Sequence, residues 1–168
     1  INGFDKISPT LPPKSELAEI TSEEKVIKTV HSMMRNSGLT EIQTSSLIGK
    51  SLLDKFKIDY EDDKAVKVAN PASEEYSMLR QGMAPSVLNC MNNNYDNGQR
   101  TFWAYEIGNT YIKTGQADEK NTGVKETRVL EGVLTGEVHN SKWEVKTQTG
   151  FYYVKGIIEN LLNELDNS

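Results

Sequence analysis

The stretch Phe102–Val138, FWAYEIGNTYIKTGQADEKNTGVKETRVLEGVLTGEV, carries most of the information about the fold. Phe102–Ile107 is rich in aromatic residues and predicts a strand, which Tyr111-Ile112 continues. Residues 114–126 contain two glycines and five charged side chains, which is typical of a loop between strands. Val129–Val138 predicts a second long strand. The stretch therefore favours a hairpin of long antiparallel strands.

Three helices are predicted around this hairpin. Thr21 and Glu24 form a capping-box pair ahead of an apolar repeat, which predicts a helix over 22–37. A proline suits the first turn of a second predicted helix, over 85–95. A firm apolar stripe from residue 150 onward predicts the last helix.

The segments between the first two helices give weaker signals. Alternating apolar and hydroxyl residues predict a strand over Glu41–Ile48, and residues 50–57 predict a short helix. The acidic run Asp59–Asp63 predicts a loop, and Ala65–Ala69 predicts a strand that Asn70-Pro71 ends. The order of helices and strands favours an α+β fold with an antiparallel sheet over regular βαβ alternation.

Composition places the chain among globular domains. Its 168 residues suit one domain, and 36% hydrophobic with 26% charged residues is not polar enough for disorder. The net charge of −5 argues against a dedicated nucleic-acid or membrane-surface binder. No run of eighteen apolar residues occurs, so no membrane partner is expected, and the expected location is cytoplasmic. The start at Ile1 leads us to expect a piece of a longer protein.

Local motifs give little sign of catalysis. Gly49-Lys50-Ser51 resembles the end of a phosphate loop, but Thr44 stands where that motif needs a glycine, so an exposed lysine at a helix start is the better interpretation. The acidic run lacks the glycine and the late glutamate of a calcium loop. His31, His139 and Cys90 show no metal-ligand spacing, and a catalytic pair formed by them in space stays open.

Two further polar and aromatic features have ordinary interpretations. Glu74-Glu75 followed by Arg80 predicts a surface region of ion pairs that contributes little to stability. Trp103 and Tyr105 could stack on bases if exposed, but a strand covered on both faces explains them as well. The lone Cys90 excludes a disulfide framework and is interpreted as a small buried thiol.

Several phrases, in order along the whole chain, resemble the bacterial phenylalanyl-tRNA synthetase beta subunit. They are Gly3–Pro12, Gly38–Leu47, Asn70–Arg80, Pro85 with Leu88, Tyr105–Gly108, Leu134–Gly136 with Trp143, and Phe151–Gly156. Departures from the family pattern occur at Asn109, at Val154 and over Gln81–Met83. The resemblance implies a class II aminoacyl-tRNA synthetase-like antiparallel sheet flanked by helices, with residues 1–20 as an extended lead-in and 21–168 as the core domain.

The resemblance also implies a catalytically silent subunit. In that family the alpha subunit activates phenylalanine with ATP and charges tRNA(Phe), and the complex is a heterotetramer. Class II catalysis uses an arginine on a strand to hold the substrate carboxylate and the ATP phosphate, whereas Ile112-Lys113-Thr114 follow Tyr111 here. The second ATP-binding arginine would lie beyond Ser168. ATP and magnesium therefore belong to the parent complex, and we expect no catalytic, cofactor or metal residue in this chain.

The expected role is contact with the alpha subunit. In class II relatives the first long helix and the following strand form the subunit contact, which here implies Val26, Val30, Met33, Met34 and Ile42. A place in the chain's own core is an equally open interpretation of each of them. The alternative function is a small-molecule-binding regulatory paralogue, which would need a deep pocket around Arg80 and Tyr105. A stand-alone transferase is the third class, without a nucleophile or ATP clamp to support it.

Overall fold

The structure is a computed structural model that describes residues 19–115, 117, 121–138 and 148–166, together with residues 3, 6, 8, 10 and 11. The helices are α1 (Ser22–Asn36), α2 (Lys50–Phe56), α3 (Ala84–Asp96) and α4 (Phe151–Asp166). The strands are β1 (Thr40–Glu41), β2 (Leu47–Ile48), β3 (Met78–Leu79), β4 (Phe102–Lys113) and β5 (Val124–Thr135). The predicted lead-in over residues 1–20 lies largely outside the described residues, as do His139 and Trp143.

Helix α1 begins at the predicted cap. The Thr21 hydroxyl accepts the Glu24 N–H at 3.2 Å, and the Glu24 carboxylate accepts the Thr21 N–H at 2.8 Å. These reciprocal bonds satisfy amide groups that the first turn of a helix leaves without partners. Beyond the helix, Gly38 takes a φ of +86°, a conformation that glycine adopts without steric cost. Both predicted helix boundaries are therefore confirmed to within one residue.

The largest sheet is mixed rather than wholly antiparallel. Strands β4 and β5 pair antiparallel over twelve residues, from Phe102 with Thr135 to Lys113 with Val124. Strand β1 pairs with the other edge of β4 in parallel, with Thr40 opposite Ala104. A parallel pair requires a long crossover connection, and the segment through α2, β3 and α3 provides it. The predicted α+β class holds, and the prediction of an antiparallel sheet is wrong for β1.

The predicted strand over Glu41–Ile48 is two short strands in two sheets. Beyond β1, the Ile42 N–H still donates to the carbonyl of Tyr105 at 2.9 Å, and then the chain leaves the sheet. The Ser45 hydroxyl accepts the Leu47 N–H at 3.1 Å, and β2 begins there and pairs antiparallel with β3. Side-chain hydrogen bonds to the backbone thus interrupt the strand, as hydroxyl residues can do.

Other strand boundaries also differ from the predictions. Only Lys67 of the predicted strand Ala65–Ala69 forms a bridge, to Met78. Strand β5 begins at Val124, inside the predicted loop, because β4 continues to Lys113 and pairs with it throughout. It ends at Thr135, where Gly136 turns the chain with a φ of +91°. The acidic run includes a 3-10 turn, Asp62–Lys64, rather than being loop throughout.

The two faces of the β4–β5 hairpin pack against different elements. Tyr105 lies on the face covered by α1 and α4, in a cluster with Val30, Met34, Leu39 and Leu161. Helix α3 contacts both strands of the hairpin. Its N-cap residue, Met83, lies on the Gly108 side of β4. A second cluster joins α2 to the β2–β3 pair and comprises Ile48, Leu53, Ala65 and Met78.

Candidate functional site

A buried ion pair lies between β4 and the segment that leads into α3. Arg80 and Glu106 are 1% and 3% exposed, and the Arg80 Nη2 donates to Oε1 of Glu106 at 2.9 Å. The Arg80 Nη1 donates to the Thr44 hydroxyl at 2.8 Å, and Nε donates to the carbonyl of Asn109 at 3.0 Å. The Thr44 hydroxyl donates to Oε2 of Glu106 at 2.6 Å. Both buried charges are therefore paired and hydrogen-bonded, as stable burial requires.

The backbone holds Arg80 in place from both sides. Its N–H donates to the carbonyl of Ser46 and its carbonyl accepts the Tyr111 N–H, each at 2.9 Å. Gly108 leaves room for the guanidinium, because a Cβ there would lie 2.2 Å from Nη2 of Arg80 and 2.9 Å from Cε of Met83. The position after Ile107 therefore has to be glycine if the ion pair is to keep this geometry.

The predicted surface ion pairs of Arg80 with Glu74 and Glu75 are wrong. Both glutamates are exposed in a 3-10 turn, Glu74–Tyr76, whereas Arg80 points into the molecule and pairs with a residue 26 positions later. Sequence reasoning missed Glu106 as its partner. The available signal was a carboxylate inside an aromatic, apolar strand, because such a group needs a cation when it is buried.

A cleft of about 400 Å³ opens beside this ion pair. Arg80 and Arg128 are the arginines that line it, and each is in an ion pair: Arg128 Nη1 lies 2.6 Å from Oε1 of Glu23 at the rim. His31 and Thr44 also line the cleft. Arg80 is therefore already neutralised inside the chain, whereas Arg128 is held by an exposed ion pair at the rim, which is a weak interaction.

The residues after Tyr111 are those at which the resemblance leads us to look for an arginine. Tyr111 lines the cleft, and the next residue is the half-buried Ile112, which does not line it. Lys113 is exposed and lines a different groove, together with Asp62 and Asp63. An aliphatic side chain offers no hydrogen-bond donor to a phosphate, so Ile112 itself could not hold one.

Tyr105 points to the other face of β4, and its polar cluster meets the first cleft at His31, which lines that cleft. Its hydroxyl lies 2.9 Å from Nδ1 of His31 and 3.5 Å from Oε2 of Glu41, and His31 Nδ1 lies 3.3 Å from the same carboxylate oxygen. Burial, and secondarily the Glu41 carboxylate, raises the pKa of the Tyr105 hydroxyl. Adjacent strand residues point to opposite faces, so Tyr105 and Arg80 line different clefts. The pocket that would support a regulatory paralogue is not formed by these two residues.

The five residues predicted at a subunit contact differ in how much of each side chain is exposed. Val30 and Met34 are buried in the chain's own core, and Met33 packs half-buried against it. Ile42 is half-buried beside β4, whereas Val26 is 45% exposed on α1. Of the five, Val26 is therefore the side chain whose surface is largely available to another molecule.

The other candidate chemical groups lie apart. The turn Gly49-Lys50-Ser51 is the start of α2 with Lys50 exposed, as predicted. Cys90 is half-buried on α3 rather than fully buried, and burial, with a smaller contribution from Glu106, raises the pKa of its thiol. Within residues 19–115, 117, 121–138 and 148–166, no three His, Cys, Asp or Glu side chains come together as a metal site.

Comparison with known protein families identifies the family of this chain. Residues 7–167 match the model of the family described as the phenylalanyl tRNA synthetase beta chain CLM domain. The chain belongs to this family.

Curated relatives agree with the family match. The phenylalanine–tRNA ligase beta subunit of Staphylococcus epidermidis is 29% identical over 99% of the chain, which covers 20% of that protein. The beta subunit of Oceanobacillus iheyensis is 31% identical over 98% of the chain, and that of Synechococcus sp. is 27% identical over 97%. The chain thus spans about a fifth of the length of these CLM-containing relatives.

Solved structures show the same kind of fold. A pyrrolysyl-tRNA synthetase of Desulfitobacterium hafniense superposes with a TM-score of 0.55 at 15% identity, over 84% of the chain and 43% of that protein. A second structure of this enzyme gives a TM-score of 0.53 at 18% identity, over 69% of the chain and 40% of that protein. Within the described part of the CLM domain, no helix is long and apolar enough to cross a membrane.

Proposed function

We propose that this chain is a non-catalytic, synthetase-like core of a phenylalanine–tRNA ligase beta subunit. Its partner is the catalytic alpha subunit, and tRNA(Phe) is bound by the whole complex in the cytoplasm. Residues 21–168 form the core domain and residues 1–20 lead into it. The sheet, flanked by α1 and α4 on one face and α3 on the other, corresponds to the sheet of class II synthetases. The family match over 7–167 supports this assignment.

The buried ion pair of Arg80 with Glu106 supports the absence of catalysis. An arginine that holds ATP donates hydrogen bonds from its guanidinium to a phosphate group. The guanidinium of Arg80 instead donates to Glu106, Thr44 and a backbone carbonyl. Ile112, Lys113 and Thr114 follow Tyr111, where the resemblance to class II synthetases leads us to expect an arginine. We therefore assign ATP and magnesium to the parent complex.

Catalytic silence is tested by ATP–pyrophosphate exchange with phenylalanine. The purified chain should give no exchange above the buffer rate. The partnership is tested separately by size-exclusion chromatography, in which the chain should co-elute with added alpha subunit. Exchange by the chain alone would overturn the non-catalytic assignment. Separate elution of the two proteins would overturn the partnership.

Helix α1 is the proposed contact with the alpha subunit. Its exposed apolar side chain, Val26, lies one turn before the buried Val30 on the same side of the helix, near the helix start, where it is 45% exposed. An exposed valine gains free energy from burial in a partner's surface, and a lysine in its place carries a charge that burial there would desolvate. Met33, on the same helix, is half-buried. Its flexible side chain can pack against the chain's own core and against a partner's surface.

The contact is tested by Val26→Lys. We expect this variant to fold normally, because the site is exposed, and to lose co-elution with the alpha subunit. Leu162→Lys on α4 is the matched control, since Leu162 is 59% exposed and also apolar. It should leave the complex intact. Retention of the complex by Val26→Lys would place the contact elsewhere, and loss with both variants would argue against α1 as the specific surface.

A further inference from the structure

A second cleft, of about 520 Å³, meets the first cleft at Thr44, which lines both of them. Its apolar floor is formed by Leu47, Ile48 and Leu52, and one wall is a face of α3. Ser86, Asn89 and Asn93 are spaced three and four residues apart along that helix, so they project from one side into the cleft wall. This volume is in the range of small-molecule sites, which combine apolar walls with a few polar groups.

Ser86 contributes a buried hydroxyl without a partner. The residue is 7% exposed, and its Oγ has no hydrogen-bond partner among the described residues. Burial of a hydroxyl without a hydrogen bond is unfavourable, and such groups in folded proteins need an explanation. A bound molecule that supplies an acceptor from the cleft would satisfy this hydroxyl.

Lys55 places a positive charge at the same wall. Its Nζ donates to Oδ1 of Asn89 at 2.9 Å and lies 5.2 Å from the centre of the Phe56 ring. An ammonium group has three donors, so this contact with Asn89 leaves others for a ligand. The Asn89 side chain also presents its amide N–H groups, since its oxygen accepts from the lysine. Donors thus predominate on this side of the cleft.

The opposite wall is fixed by a close backbone approach. Gly49 packs against the 3-10 turn Glu74–Tyr76, because a Cβ at Gly49 would lie 2.4 Å from the carbonyl oxygen of Glu74 and 2.8 Å from Cα of Glu75. This approach brings Glu75 and Tyr76 to line the cleft opposite α3. The Glu75 carboxylate repels an anionic group, which directs such a group towards Lys55.

We propose that this cleft binds a small amphipathic carboxylate. The anionic group lies against Lys55 and the α3 wall, where Ser86 and Asn89 donate to it, and the apolar body lies on Leu47 and Leu52. The inference does not depend on the proposed synthetase role, because Lys55, Ser86 and Asn89 form none of the hydrogen bonds of the Arg80–Glu106 cluster, which reaches this cleft through Thr44. It requires only the geometry of α2, α3 and the turn that faces them.

The probe is butyrate, titrated into the isotopically labelled 168-residue chain and followed by amide NMR shifts. We expect saturable shifts confined to residues 44–56 and 86–93, with a dissociation constant on the order of millimolar for so small a ligand. 1-Butanol, which lacks the charge, and acetate, which lacks the apolar body, should each bind several-fold more weakly. Inorganic phosphate distinguishes a general anion site, and phosphate binding as tight as butyrate would overturn the amphipathic assignment.

Variants separate the cleft from unspecific binding. Lys55→Gln and Ser86→Ala should each weaken butyrate binding by about three- to tenfold, the loss expected for one hydrogen bond. Lys50→Gln is the matched control, because Lys50 is exposed on the same helix and does not line the cleft. Unchanged affinity in Lys55→Gln, equal weakening in Lys50→Gln, or shifts spread over the whole chain would overturn the proposal. Amide spectra of each variant without butyrate establish that it is folded.

Discussion

At the scale of single residues, the ion pair of Arg80 with Glu106 depends on the missing side chain of Gly108. Gly108→Ala would place a Cβ 2.2 Å from Nη2 of Arg80 and 3.0 Å from Oε1 of Glu106. The pair has to separate or the strand has to shift, and disruption of a buried pair costs about 3–5 kcal/mol. We expect the free energy of unfolding in urea to fall by about that amount. The denaturation midpoint measures the loss.

Gly132→Ala is the matched control for this prediction. Gly132 lies in the paired strand β5, where the nearest atom to a new Cβ is the Ala104 carbonyl oxygen at 3.5 Å, an ordinary contact. The change in stability there should stay below about 1 kcal/mol, with the sign set by the lower backbone entropy of alanine. If both variants lost the same free energy of unfolding, the effect of Gly108→Ala would come from the strand backbone and not from the ion pair.

Arg80 could be singled out from the sequence, but its partner in the ion pair could not. Arg80 was recognisable beside Glu74 and Glu75, and nearby acids were the natural partners to assign. Its real partner, Glu106, is brought to it by the crossover from β3 through α3 to β4, and contacts of that range have no local signal. The residues after Tyr111 differ in this respect, because Ile112-Lys113-Thr114, with no arginine among them, can be read directly in the sequence.

At the scale of elements, the cap of α1 gives the molecule a defined pH dependence. The backbone hydrogen bond from Thr21, and then the bond from its side chain, lower the pKa of Glu24 from its ordinary value of 4.5. A lowered pKa in the folded state contributes stability above the unfolded value, and that contribution is lost as pH falls through the folded value. Glu24→Ala should therefore be less stable than the parent chain at pH 7, and the difference should shrink below pH 4.5.

Thermal melts of the two chains between pH 7 and pH 3 measure this difference. Glu164→Ala, on the exposed end of α4, is the control and should not reproduce the pH-dependent gap. A loss of stability in Glu24→Ala that stays constant across the whole range would contradict the charged cap as its source. Helix propensity could not explain that loss either, because alanine is the stronger helix former.

Helices were predictable from local pattern, whereas short strands were not. The helices α1, α3 and α4 each have a cap, a first-turn proline or an apolar stripe that acts within a few residues. The segment Glu41–Ile48 has a strand-like composition along its whole length, but only its ends find partners, one in β4 and one in β3. The pairing of a strand depends on distant segments, so composition alone overestimates it.

At the scale of the whole molecule, two apolar clusters are joined through the polar centre. The cluster around Tyr105 and Leu161 holds α1 and α4 to the sheet, and the cluster around Leu53 holds α2 to the β2–β3 pair. No residue is common to the two clusters as the structure describes them. Between them lies Arg80, whose backbone bonds to Ser46 and Tyr111 link the small pair of strands to β4. Helix α3 also links the two regions, because it contacts α2 as well as β4 and β5. Clusters that share no residue can still open separately.

Matched cavity variants test this division. Leu53→Ala and Leu161→Ala remove the same atoms from buried sites that are 4% and 7% exposed, and each should cost about 2–5 kcal/mol. In native-state hydrogen exchange, Leu53→Ala should accelerate the amides of α2 and β2 by about tenfold or more while those of α4 keep their rates, because each 1.4 kcal/mol of local opening free energy is a factor of ten. Leu161→Ala should show the reverse pattern. Equal acceleration of both regions by either variant would mean that the ion pair joins the clusters into one cooperative unit, and Gly108→Ala would then be expected to restore their independence.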